Sequence, residues 1–167
     1  MDICINNRDE NLFSVAGVDW IKFPEVNGAF PMVYKTYDMD RHFGYDSNFA
    51  ESSVLYYLQT SVLPWVEEGV GAENLVEFET DLTSIDKDDR YGIVHSKISI
   101  PTLQFYRDNK EIFDKYSGYC WWTATPYNID CGSLCWITGG GEERNKHCER
   151  YNGIRPMIMI KASVFNR

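Results

Sequence analysis

The residues best equipped for chemistry in this chain are five cysteines and three histidines. Cys131 and Cys135, with three residues between them, together with the adjacent His147 and Cys148, are the one set whose types could close a tetrahedral zinc site. Their spacing argues against it. Structural zinc draws on two close pairs, each two to four residues apart, whereas neighbouring side chains such as His147 and Cys148 diverge in extended chain. The reading is free thiols, with zinc as the alternative. Asp81, Asp86, Asp88 and Asp89 could offer oxygens to calcium, but the alternating acidic order of a dedicated calcium loop is missing, and a solvated acidic face is expected instead. His42 and His95 stand alone, and neither a nucleophile elbow nor a phosphate-cradling glycine motif occurs. No catalytic residue, metal site or cofactor is assigned on these grounds. An enzyme alternative would have to rest on Cys120, Cys131, Cys135, His147 or Cys148.

Charge narrows the partners. With 16 Lys and Arg against 25 Asp and Glu, the 167-residue chain carries −9 at neutral pH, so it repels nucleic-acid backbones and anionic membrane surfaces. The imbalance is uneven: residues 141–167 sum to +3, which leaves −12 for the rest. Nine carboxylates fall between Glu67 and Arg90, and a largely solvated acidic insertion or loop is expected over about residues 66–90, although Leu75 and Leu82 could still pack. Residues 1–10 have no apolar run, so no secretory signal is expected and a cytoplasmic location is. The odd cysteine count at irregular spacing fits reduced thiols, with two bridges and one free thiol left open for an oxidising setting.

The elements that must position these residues follow from periodicity. Residues 12–21 and 29–37 are rich in β-branched and aromatic residues and predict strands. Asn48 with Glu51 three residues later has the form of a helix cap, and Val54, Leu55, Leu58, Val62 and Leu63 recur at helical spacing, predicting a helix from 48 to 63 that ends at Pro64. A second helix is expected from about 101 to 113, with a break at Asp108-Asn109. Strands are expected at 119–125, 134–138 and 154–165, with a turn at Gly139-Gly140-Gly141. Strands at both ends with helices between predict a single α+β domain in which both termini join one mixed or antiparallel sheet flanked by two helices.

Two adjacent indoles stand out. Trp121 and Trp122 must face opposite sides of a strand, one into the core and the other outward or against a helix, so one of them is a candidate contact residue, with Tyr127 beside them. Arg155, before Pro156, is expected to anchor the terminal strand by pairing with a carboxylate or a carbonyl.

The run Cys120-Trp121-Trp122-Thr123-Ala124-Thr125-Pro126, followed by a glycine-rich turn and then Asn152-Gly153-Ile154-Arg155-Pro156, resembles a bacterial and phage domain family of unknown function. That family carries a W-W-x-x-[ST]-P strand and a terminal G-[IVF]-R-P strand. The same ending is similar to that of C-type-lectin-like folds, including the formylglycine-generating group. The resemblance implies a lectin-like binding scaffold, and it carries no catalytic residue across, since the five cysteines do not map onto a copper-binding pair.

The expectation is therefore a non-enzymatic phage or mobile-element protein that acts on a protein partner inside the bacterial cell. One form would be an inhibitor of a host defence nuclease, in which an acidic face including Glu67, Glu68, Asp86, Asp88 and Asp89 occupies a basic channel. The alternative is a virion module that binds a receptor or glycan.

Overall fold

Residues 9–15 and 17–166 are described by the structure, a computed structural model; Cys4 lies outside them. Four strands open the chain: β1 (Leu12–Val15), β2 (Val18–Lys22), β3 (Ala29–Tyr34) and β4 (Asp40–His42). A helical run follows, made of α1 (Ser53–Tyr57), a π turn (Leu58–Val62) and α2 (Leu63–Val70). Next come β5 (Phe78–Asp81), β6 (Ile93–Ser96), β7 (Ile98–Ser99), α3 (Leu103–Asp108) and α4 (Lys110–Asp114). The chain closes with β8 (Trp121–Asn128), β9 (Ser133–Ile137), β10 (Glu143–His147), β11 (Tyr151–Gly153) and β12 (Met157–Lys161).

The first sheet has the order β1-β2-β3-β12-β7 and is antiparallel throughout. Both ends of the chain thus meet where β12 pairs with β3, with Ile158 opposite Met32. The second sheet runs β10-β9-β8-β11-β4 and is mixed, because β11 lies parallel to β8. β5 and β6 form a separate two-stranded ribbon. This is the expected single α+β domain with helices in two groups.

The helical run differs from the sequence reading at both ends. Asn48 caps only a short 3₁₀ turn, its Oδ1 accepting from the Ala50 amide, while the cap of α1 is Ser52, whose Oγ accepts from the Leu55 amide at 3.0 Å. The helix also passes Pro64 and continues to Val70. A proline ring in a helix strikes the carbonyl four residues back, and the wider π turn just before Pro64 relieves that contact. The second helix does break where expected, at Asn109 (φ −121°, ψ 22°), between α3 and α4.

Two apolar layers hold the elements together. On one side of the first sheet, Trp20, Met32, Ile158 and Ile160 meet Leu58, Val62 and Val66 of the helical run, and Trp122 and Leu134 of the second sheet join them. On the other side, Ile21, Val33 and Met157 pack with Leu103, Tyr106 and Phe113 of α3 and α4 and with Trp121 and Ile137. Covering both faces explains why β12 reads Met-Ile-Met-Ile without polar alternation.

The stretch 66–90, expected as an acidic insertion or loop, is built into the domain. It contains the rest of α2, a backbone bridge from Leu75 to Ile160, and all of β5. Leu75 and Leu82 are buried in the main core, so these apolar side chains anchor the segment while its carboxylates face out. Among the described residues no helix is long and apolar enough to cross a membrane.

Candidate functional site

The adjacent indoles point to opposite sides of β8, as alternation requires, but neither reaches solvent: Trp121 is 2% exposed and Trp122 0%. Trp121 stacks on Phe113 of α4 with ring centroids 5.4 Å apart. Trp122 packs edge-on against Phe43, and its Nε1–H donates to the Arg41 carbonyl at 2.9 Å. The expectation that one of them forms a contact surface is therefore corrected. Both sides of the second sheet are covered here, by Phe113 of α4 on one and by Phe43, just after β4, on the other. Tyr127, further along β8, is exposed.

The five carboxylates predicted to form an acidic face fall on two elements. Glu67 and Glu68 sit near the C-terminal end of α2, whereas Asp86, Asp88 and Asp89 belong to the connection between β5 and β6. Glu68, Asp86 and Asp89 are exposed, and Glu67 and Asp88 half-buried. Asp88 pairs with Arg90, and that contact holds its carboxyl below the usual range. Arg90 also reaches Asp130 at 3.0 Å. Asp86 accepts a short hydrogen bond from Ser84 Oγ. Among the described residues, Glu67, Glu68, Asp86 and Asp89 have no cationic side chain within 4.0 Å, so their charge projects into solvent uncompensated.

The cysteines and histidines do not converge. Cys135 lies in the layer beneath α3 and α4, whereas Cys148 lies in the main core on the opposite side of the second sheet, so the two sulfurs cannot share one ion. Burial pushes the Cys135 thiol up to about 12 and raises that of Cys148 as well. Cys120 and Cys131 are exposed. Among the described residues no group of three or more His, Cys, Asp or Glu is placed to hold a metal. Asp81, named with the calcium candidates, spends one carboxylate oxygen on the Thr83 amide and hydroxyl.

A different feature emerges beside α2. Val18, Tyr34, Asp38, Tyr57, Ser61 and Trp65 border an open groove of about 290 Å³ between the first sheet and the helical run. Tyr57, Ser61 and Trp65 recur every four residues through the π turn and so share one helix face. Tyr57 donates its hydroxyl to Asp38 at 2.5 Å, and burial with this neighbouring carboxylate pushes the phenol up to about 12. The Arg41 guanidinium lies 4.5 Å from the Tyr57 ring centroid. Glu68 follows Trp65 by three residues, so the exposed acidic end of α2 adjoins the groove. The sequence reading missed this groove because it ended the helix before Trp65. The four-residue recurrence of Tyr57, Ser61 and Trp65 was the available signal.

No family model, curated protein or solved structure matches this chain. The functional reading therefore rests on its own residues.

Proposed function

We propose that the protein is a non-enzymatic binding protein that recognises a basic surface of a protein partner, and that it acts inside a bacterial cell as an inhibitor of a nucleic-acid-handling enzyme. What supports this reading is the set of exposed or half-exposed carboxylates at Glu67, Glu68, Asp86 and Asp89 that find no cation among the described residues. Fields of one sign raise encounter rates with complementary surfaces, and a channel built for a phosphate backbone is such a surface. Asp88 contributes less, because Arg90 already neutralises it. Tyr127 supplies an exposed aromatic for the same contact, whereas Trp121 and Trp122 act only by holding the scaffold.

The test uses the tagged chain and a variant carrying Glu67→Lys, Glu68→Lys, Asp86→Lys and Asp89→Lys as paired baits in bacterial lysate, with retained proteins quantified by mass spectrometry. A nucleic-acid enzyme that is retained by the natural chain, lost by the variant and released as salt rises is the expected result. Equal retention by both baits would sink the acidic-face mechanism.

A second reading, a C-type-lectin-like module of a virion that takes a glycan, draws support from the groove. Tyr34, Tyr57 and Trp65 line it with aromatic side chains, and Asp38 and Ser61 with polar ones. Retention of envelope glycans alone, lost on Trp65→Ala, would favour this reading over the first.

A further inference from the structure

Arg155 is buried to 2% exposure, and no carboxylate among the described residues lies within ion-pairing distance of it. Its Nε donates to the Tyr34 carbonyl at 3.0 Å and its Nη2 to the Lys35 carbonyl at 2.8 Å, so it staples the start of β12 to the end of β3 through carbonyls. Nη1 makes no hydrogen bond to a described residue. The guanidinium sits 5.4 Å from the Trp121 ring centroid, 5.5 Å from that of Phe113 and 5.9 Å from that of Tyr119. Carbonyl dipoles and ring faces supply partial negative charge, but a full counter-charge is missing, and an unpaired buried cation is costly.

This arginine borders a small pocket that Tyr106, Phe113, Ser117, Tyr119, Trp121 and Thr138 also line. Its interior, about 10 Å³, accommodates one water-sized group. That volume admits a single anionic oxygen of a ligand whose remaining atoms stay outside it. Asp114 also borders the pocket, yet Lys110 holds it at 3.0 Å. The local balance of Arg155, Lys110 and Asp114 is thus +1 on a molecule of −9.

We infer that the Arg155 pocket is a carboxylate-binding site, in which one oxygen of a carboxyl-bearing ligand accepts from Nη1 and supplies the counter-charge that the chain itself withholds. Burial pulls the guanidinium down to about 10, the direction expected of a cation lacking an anion. The inference does not depend on the acidic-face reading, since it concerns a pocket of opposite sign.

The guanidinium lies over Trp121, so indole fluorescence reports on the site. Sodium acetate is titrated against sodium chloride at constant ionic strength, and the thermal midpoint is followed in parallel. A saturable fluorescence change and a rising midpoint with acetate alone are expected. Equal responses to both salts, or none that saturates, would overturn the inference and leave Nη1 to water. Because Arg155→Lys also removes the staple to the Tyr34 and Lys35 carbonyls, Asp114→Asn provides the second arm. Removing this bordering carboxylate should tighten acetate binding several-fold, and unchanged or weaker binding counts against the site. Two peptides then separate the sources of the carboxylate: one with an internal Glu and an amidated end, the other with Gln and a free C-terminal carboxylate.

Discussion

Gly153 faces the backbone of Cys120 so closely that a Cβ built on it would lie 2.5 Å from the Cys120 carbonyl oxygen, and 3.0 Å from Cβ of Tyr37. This close approach is where β11 runs parallel to β8, with Gly153 level with Trp121, and it sets the spacing that lets β4 attach beyond β11. No side chain fits there without moving backbone.

Gly153→Ala is expected to destabilise the fold by about 1–3 kcal/mol or more, the range for forcing an atom into packed structure. Gly140 provides the control, since the nearest atom to its added Cβ is the Thr138 hydroxyl at 3.8 Å and its φ is unstrained, so Gly140→Ala should change stability by less than about 0.5 kcal/mol. Urea unfolding of both variants checks the contrast, and equal midpoints would remove the packing argument.

Trp122→Ala is expected to cost about 3–5 kcal/mol, because it leaves a cavity beside Phe43 and frees the Arg41 carbonyl that its indole satisfies. Tyr127→Ala should cost less than about 0.5 kcal/mol, as its side chain is exposed. Denaturation midpoints measure both, and comparable losses would mean that Tyr127 is packed.

Strand content was legible wherever a strand showed a local pattern: the stretches at residues 12–21, 29–37 and 119–125 all contain strands, and Gly139 to Gly141 form the turn between β9 and β10. Alternation also placed Trp121 and Trp122 on opposite sides of β8. It could not reveal that both sides are covered, because the covering groups, Phe113 and Phe43, lie outside β8 and only tertiary packing brings them onto it. The same gap between local and tertiary information explains the acidic stretch. Its charge density reads as solvated loop, yet Leu75 bridges to Ile160, some eighty-five residues away, and draws the segment into the core. The groove stayed hidden for a local reason instead: Pro64 normally ends a helix, and only the π turn allows Trp65 to align with Tyr57 and Ser61.

Thiol reactivity should divide the described cysteines in two. Cys120 and Cys131 are exposed, whereas Cys135 and Cys148 are buried and their thiols are raised by desolvation, which keeps them protonated. Iodoacetamide applied to the native protein at neutral pH is expected to modify Cys120 and Cys131, and to reach the other two only after unfolding. Peptide mapping reads the outcome, and native labelling of Cys135 would contradict its burial.

The hydroxyl of Tyr116, after α4, donates to the Asp9 carboxylate at 2.6 Å, tying the start of the described chain to a residue 107 positions later. That bond lowers the Asp9 carboxyl from its usual 3.8, and burial together with the same carboxylate raises the Tyr116 phenol above its usual 10.0. The two shifts set opposite edges of one pH window. A carboxyl whose folded value is depressed contributes stability above pH 3.8 and loses it as the pH falls through the lower folded value. A phenol whose folded value is raised contributes below pH 10.0 and loses that contribution as the pH climbs through the higher folded value. Tyr116→Phe removes the bond while keeping the ring, so the stability difference between the natural chain and this variant should be greatest between these limits and shrink on either side. Urea unfolding at a series of pH values measures it, and a difference that stays constant through the acid limb would show that the hydroxyl does not hold Asp9 in solution.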